Sequence, residues 1–161
     1  MLGIKAFSDM LDQVVVRRAE RSDSKALYEI EVECFPEDAL PLYYIIYFLE
    51  SPEFITLVTM QEGRIIGYGT ARIENFEGKC MGHIYSIAVK PEYRRRGVGS
   101  ILLKTIEENL RKRGAKVCYL EARKDNVVAI NFYLKHGYRV FEVLGGYYGN
   151  GKDGVRFMKT L

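Results

Sequence analysis

No apolar run in this 161-residue sequence is long enough to span a membrane. The longest, Leu40 to Leu49, is short and rich in tyrosine. The N-terminus, MLGIKAFSDMLDQ, has no basic start, no long apolar middle and no small-residue cleavage site. No secretory signal is therefore expected, and the cytoplasm is the expected compartment. Cysteine is sparse: Cys34, Cys80 and Cys118 are an odd number without a CxxC pair, which points to neither a disulfide framework nor a zinc site, and no metal is expected. There is no linker, internal repeat or low-complexity tract. The net charge is only +3, and no recognised nucleic-acid-binding motif is present, so a nucleic-acid-binding module is the weaker reading of the basic clusters.

What is present is an ordinary globular mixture, 48% hydrophobic and 28% charged, in a chain with room for one core. Residues 1–13 read as a short N-terminal extension and 14–161 as a single domain. VVVRR (14–18) reads as a strand. Ser22 or Asp23 is placed to cap a helix to about Glu33, which Phe35-Pro36 ends. A second, aromatic helix is expected from about Pro41 to Glu50. FITLVTM (54–60) and RIIGYGTARIE (64–74) read as a hairpin about Glu62-Gly63. Asn75 to Lys79 reads as a loop, and HIYSIAV (83–89) as a strand. Val98, Leu102, Ile106 and Leu110 give an apolar face to a helix from about Gly97 to Arg113, stopped by Gly114. KVCYLEA (116–122), a helix over 126–135, YRVFEVL (138–144) and GVRFMKT (154–160) complete the order. The order β-α-α-β-β-β-α-β-α-β-β predicts an α/β (α+β) chain, a mixed sheet with helices on both faces.

The strongest local signal is the passage from HIYSIAV through KPEY and RRRGVG into an amphipathic helix. A helix N-terminus offers unpaired N–H groups and partial positive charge, and so binds anions. Gly97 and Gly99 let the backbone approach a phosphate, and Arg94, Arg95 and Arg96 add charge-assisted donors. A diphosphate is the natural guest; a plain turn with solvated arginines is the alternative. Two other phosphate motifs are excluded. There is no GK[ST], and residue 102 is leucine where a GxGxxG would need its third glycine.

Arg94 to Gly99 resembles the Q/R-x-x-G-x-G/A motif of the GNAT acetyltransferases. GHIYSIAVKPEYRRRGVGSILLK, YLEARKDNVVAINFYLKHGYRV and the YY-containing loop are closer still to the N-terminal acetyltransferases, both archaeal and eukaryotic catalytic subunits and the RimI-like ribosomal-protein alanine acetyltransferase. The resemblance covers roughly residues 14–161. It implies a GNAT fold: about seven strands, mostly antiparallel, with a splay between the fourth and fifth marked by a β-bulge, and about four flanking helices. It implies acetyl-CoA as cosubstrate. The backbone of Ile87, Ala88 and Val89 would pair with the pantetheine arm, amides from Arg95 to Ser100 (with Gly97, Val98 and Gly99 among them) would hold the pyrophosphate, and Asn126 would lie beside the cofactor. An archaeal source is a further implication.

The same resemblance implies direct attack of an amine on the thioester. Glu121 matches the general base, with His83 sharing an ordered water. Tyr133, also against the cofactor, matches the general acid. A backbone N–H at Ile87 or Val89 would serve the oxyanion. The chemistry suits an α-amine, of pKa about 8 and roughly ten per cent neutral at pH 7; deprotonating lysine costs about 3 kcal/mol more. Read without the family, a strand-end glutamate is usually solvated, a lone strand histidine usually partners a local carboxylate, and Tyr133 packs in the core. Cys118, before Tyr119 in a strand, reads as core.

On the acceptor side, the resemblance puts Phe35, Pro36 and Glu37 in one loop and Tyr147 and Tyr148 in another, flanking a peptide entrance. Tyr43, Tyr44 and Tyr47 either join that surface or pack the second helix. The expected partners are protein or peptide N-termini, with the ribosome or nascent chain left open, no specific nucleic acid, no membrane, and a monomer or weak dimer. The alternatives are a GNAT acting on lysine side chains or small amines, and a CoA-binding regulatory module.

Overall fold

The computed structural model describes residues 13–161; apart from Gln13, the extension expected at the N-terminus lies outside them. Seven strands and four helices form among the described residues: β1 (Val15–Arg18), α1 (Ser24–Cys34), α2 (Leu42–Glu50), β2 (Phe54–Gln61), β3 (Arg64–Phe76), β4 (Lys79–Val89), α3 (Val98–Lys112), β5 (Val117–Arg123), α4 (Val127–Lys135), β6 (Arg139–Leu144) and β7 (Gly154–Thr160). The strands make one sheet in the order β1-β2-β3-β4-β5-β7-β6. Every neighbouring pair is antiparallel except β4–β5, which is parallel. No helix among the described residues is long and apolar enough to cross a membrane.

Alternation along the strands assigns the two faces. On one face Ile55, Leu57, Ala71, Ile84, Cys118, Leu120 and Phe157 pack against Leu102, Leu103, Ile106 and Leu110 of α3 and Tyr133 of α4. On the other, Val58, Tyr68 and Ala88 meet Leu27 and Ile30 of α1 and Ile45 of α2. The buried α3 leucines are fully enclosed, and each such side chain contributes roughly 1.5–3 kcal/mol of transfer free energy. The helix stops at Gly114, where Gly114 N–H donates to Arg111 O (2.9 Å) and Ala115 N–H to Leu110 O (3.0 Å), a Schellman closure.

Two local expectations are corrected. Asn75 to Lys79 is not a loop: β3 runs to Phe76 and β4 restarts at Lys79. The turn is only Glu77-Gly78, with φ 50° and 78°, the paired positive values of a type I′ hairpin. The Phe76 ring lies 4.6 Å from that of Tyr119, which keeps the strand ends in the sheet. The N-terminus of α1 also differs. A single 3-10 turn, Arg21–Asp23, precedes it. The Asp23 carboxylate, rather than capping α1, accepts from Arg17 (2.8 and 3.0 Å) and from Glu20 N–H (2.7 Å).

The feature that positions the site is a bulge in β4. Thr70 pairs with Ser86, but Ala71 pairs with Ile84, so Tyr85 is the extra residue. Ile84 and Ile87 consequently both face α3 although they are three apart, and His83, Tyr85, Ser86 and Ala88 share the opposite face. Beyond the bulge β4 leaves β5: their ladder covers only Gly82–Ile84 against Cys118–Leu120. The expected splay is thus a gap between residues 85–89 and 121–123.

Gly67 fixes β3 against this bulged strand. A Cβ there would lie 2.7 Å from Thr59 Oγ1 and 2.9 Å from the backbone oxygen of Ala88. The oxygen cannot retreat without moving β4. Gly67→Ala should therefore destabilise the protein by about 1–3 kcal/mol, lowering the Tm by several degrees in thermal melts; an unchanged Tm would show that β4 is free to shift.

Candidate active site

The gap has two backbone walls. Lys90 N–H donates to Ile66 O (2.9 Å), so by antiparallel alternation Ala88 and Ser86 continue the ladder to β3. Ile87 and Val89 turn their peptide groups into the gap. Of the three residues expected to pair with a cofactor arm, Ile87 and Val89 face it and Ala88 belongs to the sheet. Val89 O is already used, accepting from Arg94 Nε (3.0 Å) and lying 3.4 Å from Cys34 Sγ.

The gap opens onto the glycine-rich turn. Arg95 has φ 60° and Gly97 φ 80°, two left-handed residues that turn successive N–H groups inward. Gly97 is the N-cap of α3 with no side chain to offer, so the N–H groups of Val98, Gly99 and Ser100 await an outside acceptor. The absence of a Cβ at Gly99 also serves packing. It accommodates Phe132 of α4, whose ring would sit 3.3 Å from that Cβ. Ser100 Oγ lies 2.8 Å from His136 Nε2, whose Nδ1 is 2.7 Å from Phe132 O; His136 thus donates from Nδ1 and accepts at Nε2. Arg96 stacks over Tyr93 at 5.6 Å. Asn126 caps α4, its Oδ1 accepting from Ala129 N–H (3.1 Å), which leaves Nδ2 for any further contact.

Glu121 and Tyr133 lie on opposite faces of the sheet with the gap between them. Tyr133 is buried among Phe132, Tyr138 and Phe157. Burial, reinforced by Cys118, raises its phenol well above the ordinary value, so it stays protonated. Cys118 itself is core, as expected, with its thiol pushed up to about 12 by burial.

On the other face His83 and Glu121 meet directly. His83 Nε2 is 2.9 Å from Glu121 Oε1 and 3.1 Å from Oε2. The Glu121 side chain is only 6% exposed. Tyr147 OH lies 3.4 Å from its Oε1 and Arg156 Nη2 3.8 Å from the same oxygen. The other nitrogen of His83 contacts Glu74, which also accepts from Tyr85, from Tyr119 OH (2.7 Å) and from Arg72 Nη2 (2.7 Å) and Nε (3.0 Å). The His83 ring stacks on Tyr119 (4.1 Å) and touches Tyr85 (4.3 Å), so it is fixed in plane and in rotation.

At the outer edge Arg123 ties the α1–α2 loop to β5. Its Nη1 meets Glu37 (2.5 Å) and Asp38 (3.0 Å), and its Nη2 meets Asp125 (2.7 Å). Arg123 depresses the Glu37 carboxyl below its ordinary value. Phe35 packs on the core beneath α1 and α2, and Pro36 is exposed beside it. Tyr147 and Tyr148 form a T-shaped pair, rings 5.0 Å apart, on the far side. Tyr43, Tyr44 and Tyr47 are largely exposed, while Ile45 and Phe48 provide the buried side of α2.

Sequence reasoning missed Glu74, Arg72, Tyr85, Tyr119, Arg123 and Arg156. Glu74 and Arg72 alternate with Ile73 at the end of β3, a pattern that marks one polar strand face but not what it faces. It also missed Glu31. This buried carboxyl accepts from Tyr68, from Ser86 Oγ (3.0 Å) and from Leu40 N–H (3.2 Å), tying the α1–α2 loop to the bulged strand. Burial pushes Glu31 up.

A family model described as the acetyltransferase (GNAT) family matches residues 24–138. The chain is 31% identical over 150 residues to the N-terminal acetyltransferase A complex catalytic subunit NAA10 of Arabidopsis thaliana, covering 92% of this chain and 78% of that protein. It is 33% identical over 147 residues to an N-alpha-acetyltransferase of Sulfurisphaera tokodaii, covering 86% of this chain and 87% of that one. Among solved structures, Ard1 from Thermoplasma volcanium superposes with a TM-score of 0.82 at 22% identity, over 92% of this chain and 98% of that one, a likeness of fold.

Burial pushes the Glu74 carboxyl up, but hydrogen bonds from Tyr85, Tyr119, Arg72 and His83 outweigh it and bring it down to about 2. A depressed folded value means stability that is present above the unfolded carboxylate value and lost as pH falls through the folded one. The Tm difference between wild type and Glu74→Gln should be widest above pH 5 and shrink toward pH 2. Thermal melts across that range check it; a gap that does not narrow would show that Glu74 is not held ionised.

Proposed function

The chain belongs to the GNAT acetyltransferase family, and from that premise we propose that residues 14–161 form one catalytic unit that moves an acetyl group from acetyl-CoA to the α-amino group of protein or peptide N-termini. The relatives named for N-terminal acetylation support the acceptor class. The observation that bears most weight is the juxtaposition of an uncapped helix N-terminus with a gap in the sheet whose far wall holds Glu121 against His83.

The donor set fits acetyl-CoA: left-handed Arg95 and Gly97, the free amides of Val98, Gly99 and Ser100, and the Ile87 and Val89 peptide edge suit a diphosphate followed by an amide-bearing arm. Acetyl-CoA supplies the activated acyl group as a thioester. Amides from Arg95 to Ser100 hold the diphosphate, with Arg94, Arg95 and Arg96 adding charge and Asn126 contributing its Nδ2. Ile87 and Val89 pair with the arm, and one of their N–H groups meets the oxygen on which charge develops. Glu121, paired with His83, takes the proton of the attacking amine through an ordered water. Tyr133 attends the leaving sulfur. Because burial lifts its phenol further above the thiol's ordinary value of about 8.5, Tyr133 acts by hydrogen bonding to the thiolate more than by full transfer. Phe35, Pro36, Glu37, Tyr147 and Tyr148 flank the peptide, and Arg123 positions Glu37. The unit works as a monomer or weak dimer on nascent or finished chains.

Acetyl transfer to a panel of short peptides tests the function. Free N-termini should be acetylated, and blocked peptides carrying an internal lysine should not. Transfer to the blocked peptides would mean a lysine acetyltransferase, and tight CoA binding with no peptide transfer would mean a small-amine acceptor. Glu121→Gln should lower kcat by about 100-fold with acetyl-CoA affinity unchanged; normal turnover would move the base role to His83. Gly97→Trp should weaken acetyl-CoA binding in calorimetry, since a side chain at that left-handed cap is strained and fills the turn; unchanged affinity would contradict the diphosphate placement.

A further inference from the structure

Both ring nitrogens of His83 face carboxylates: Nδ1 faces Glu74, and Nε2 faces Glu121 at 2.9 Å. An ionised carboxylate only accepts, and a neutral imidazole has one N–H. One further proton must therefore be held at the contact between Nε2 and Glu121, on one partner or the other. Glu74 does not hold it. Two tyrosine hydroxyls and two Arg72 N–H groups already donate to Glu74, which leaves it an acceptor only. The phenols of Tyr85 and Tyr119 are both driven up by burial, then by Glu74, and stay protonated donors.

We propose that Glu74 is a positioning residue: it pins the His83 proton on Nδ1, so that Nε2 and Glu121 together form one proton-accepting pair. This rests on the reading that Glu121 and His83 serve acetyl transfer. In the acidic form the pair holds its proton. Once that proton leaves, the Nε2 lone pair and a Glu121 oxygen stand side by side as two acceptors, and an amine N–H or its bridging water is the donor that satisfies both. Without Glu74, His83 is free to place its single proton on Nε2, donate it to Glu121 and cancel the pair. No other carboxylate meets Nδ1 among the described residues. The charged and titratable groups around the pair are Arg72 and Glu74 from β3, Tyr85 from β4, Tyr119 from β5, Arg156 from β7 and Tyr147 from the β6–β7 loop. Glu53 lies behind Arg72 at 3.5 Å, and Glu142 behind Arg156.

The sign of the pH effect follows. Glu74 stabilises the protonated pair by its negative charge. Glu74→Gln removes that charge and leaves Arg72 less compensated, and both changes make the pair give up its proton at lower pH. The acid limb of kcat/KM should move down by about one pH unit, a tenfold change in the pair's proton affinity, while the dissociation constant for acetyl-CoA stays within about twofold. A limb that stays in place would overturn the proposal, even if kcat fell, because a merely structural defect scales the profile without shifting it.

A second measurement needs neither a variant enzyme nor turnover. The chain has two histidines, and nitrogen-15 NMR of the labelled wild-type protein reads the tautomer of each, His83 being assigned by the signal lost in His83→Gln. Above the titration of the pair, His83 should carry its proton on Nδ1. A proton on Nε2 would overturn the assignment of Glu74. A wild-type protein inert toward every free N-terminus would instead remove the proposed function, and the tautomer would still decide the role of Glu74.

Discussion

Everything in this fold depends on how briefly β4 and β5 hold together. Three residue pairs, Gly82–Ile84 against Cys118–Leu120, are the whole parallel contact between the β1–β4 half of the sheet and the β5–β7–β6 half. The ladder stops at Ile84, where the Tyr85 bulge interrupts β4. It also needs help to hold. Gly82 lets Leu110 of α3 approach to 2.8 Å from where a Cβ would be, and α3 packs across strands of both halves. The buried Glu107 on α3 reaches the second half through Lys159 of β7 (2.9 Å) and Tyr138 (3.0 Å). The gap is kept open by the bulge and kept from tearing by the helix beneath it.

The same bulge decides which side chains meet. Without it the alternation of β4 would place Tyr85 and Ser86 on opposite faces, and no single face could hold both the His83 cluster and the Ser86–Glu31 contact. With it, one polar face runs from the base candidates to the hydrogen bonds that fix the α1–α2 loop. The α1–α2 loop and the His83–Glu121 contact are thus referenced to one short stretch of strand. A shift of β4 would be felt at both.

What was legible in the sequence was what periodicity and punctuation encode. The apolar face of α3, the Gly114 stop, the Glu62-Gly63 turn and the succession of strands and helices along the chain were readable because each depends on neighbours in the chain. The RRRGVG turn was legible because left-handed φ and an uncapped helix end have a glycine signature. At Gly99 a packing reason was hidden, because its missing side chain also accommodates Phe132, thirty-three residues on and visible only in the fold. Glu121, His83 and Tyr133 were singled out through the family resemblance; composition and spacing alone left each with an ordinary structural reading. Glu74 was out of reach for a physical reason. Its partners come from β3, β4 and β5, and the tight Glu77-Gly78 turn that returns β4 beside it reads as a loop in the sequence.

Two arginines stand over the carboxylates that flank His83. Arg72 stands against Glu74, and Arg156 lies near Glu121 while stacking over Phe76 at 5.0 Å and Tyr119 at 5.8 Å. Each offsets the negative charge that two carboxylates around one imidazole bring together, and Arg72 is among the groups that hold the Glu74 carboxyl down. On the proposed function, an ammonium of pKa about 8 asks less of a base than one of about 10.4. The arrangement also has a use in the resting protein: with Arg72 and Arg156 in place, Glu74 and Glu121 remain close to His83 although both are carboxylates. The charge balance around His83 is thus set in part by residues that, on the proposed function, need not touch the substrate.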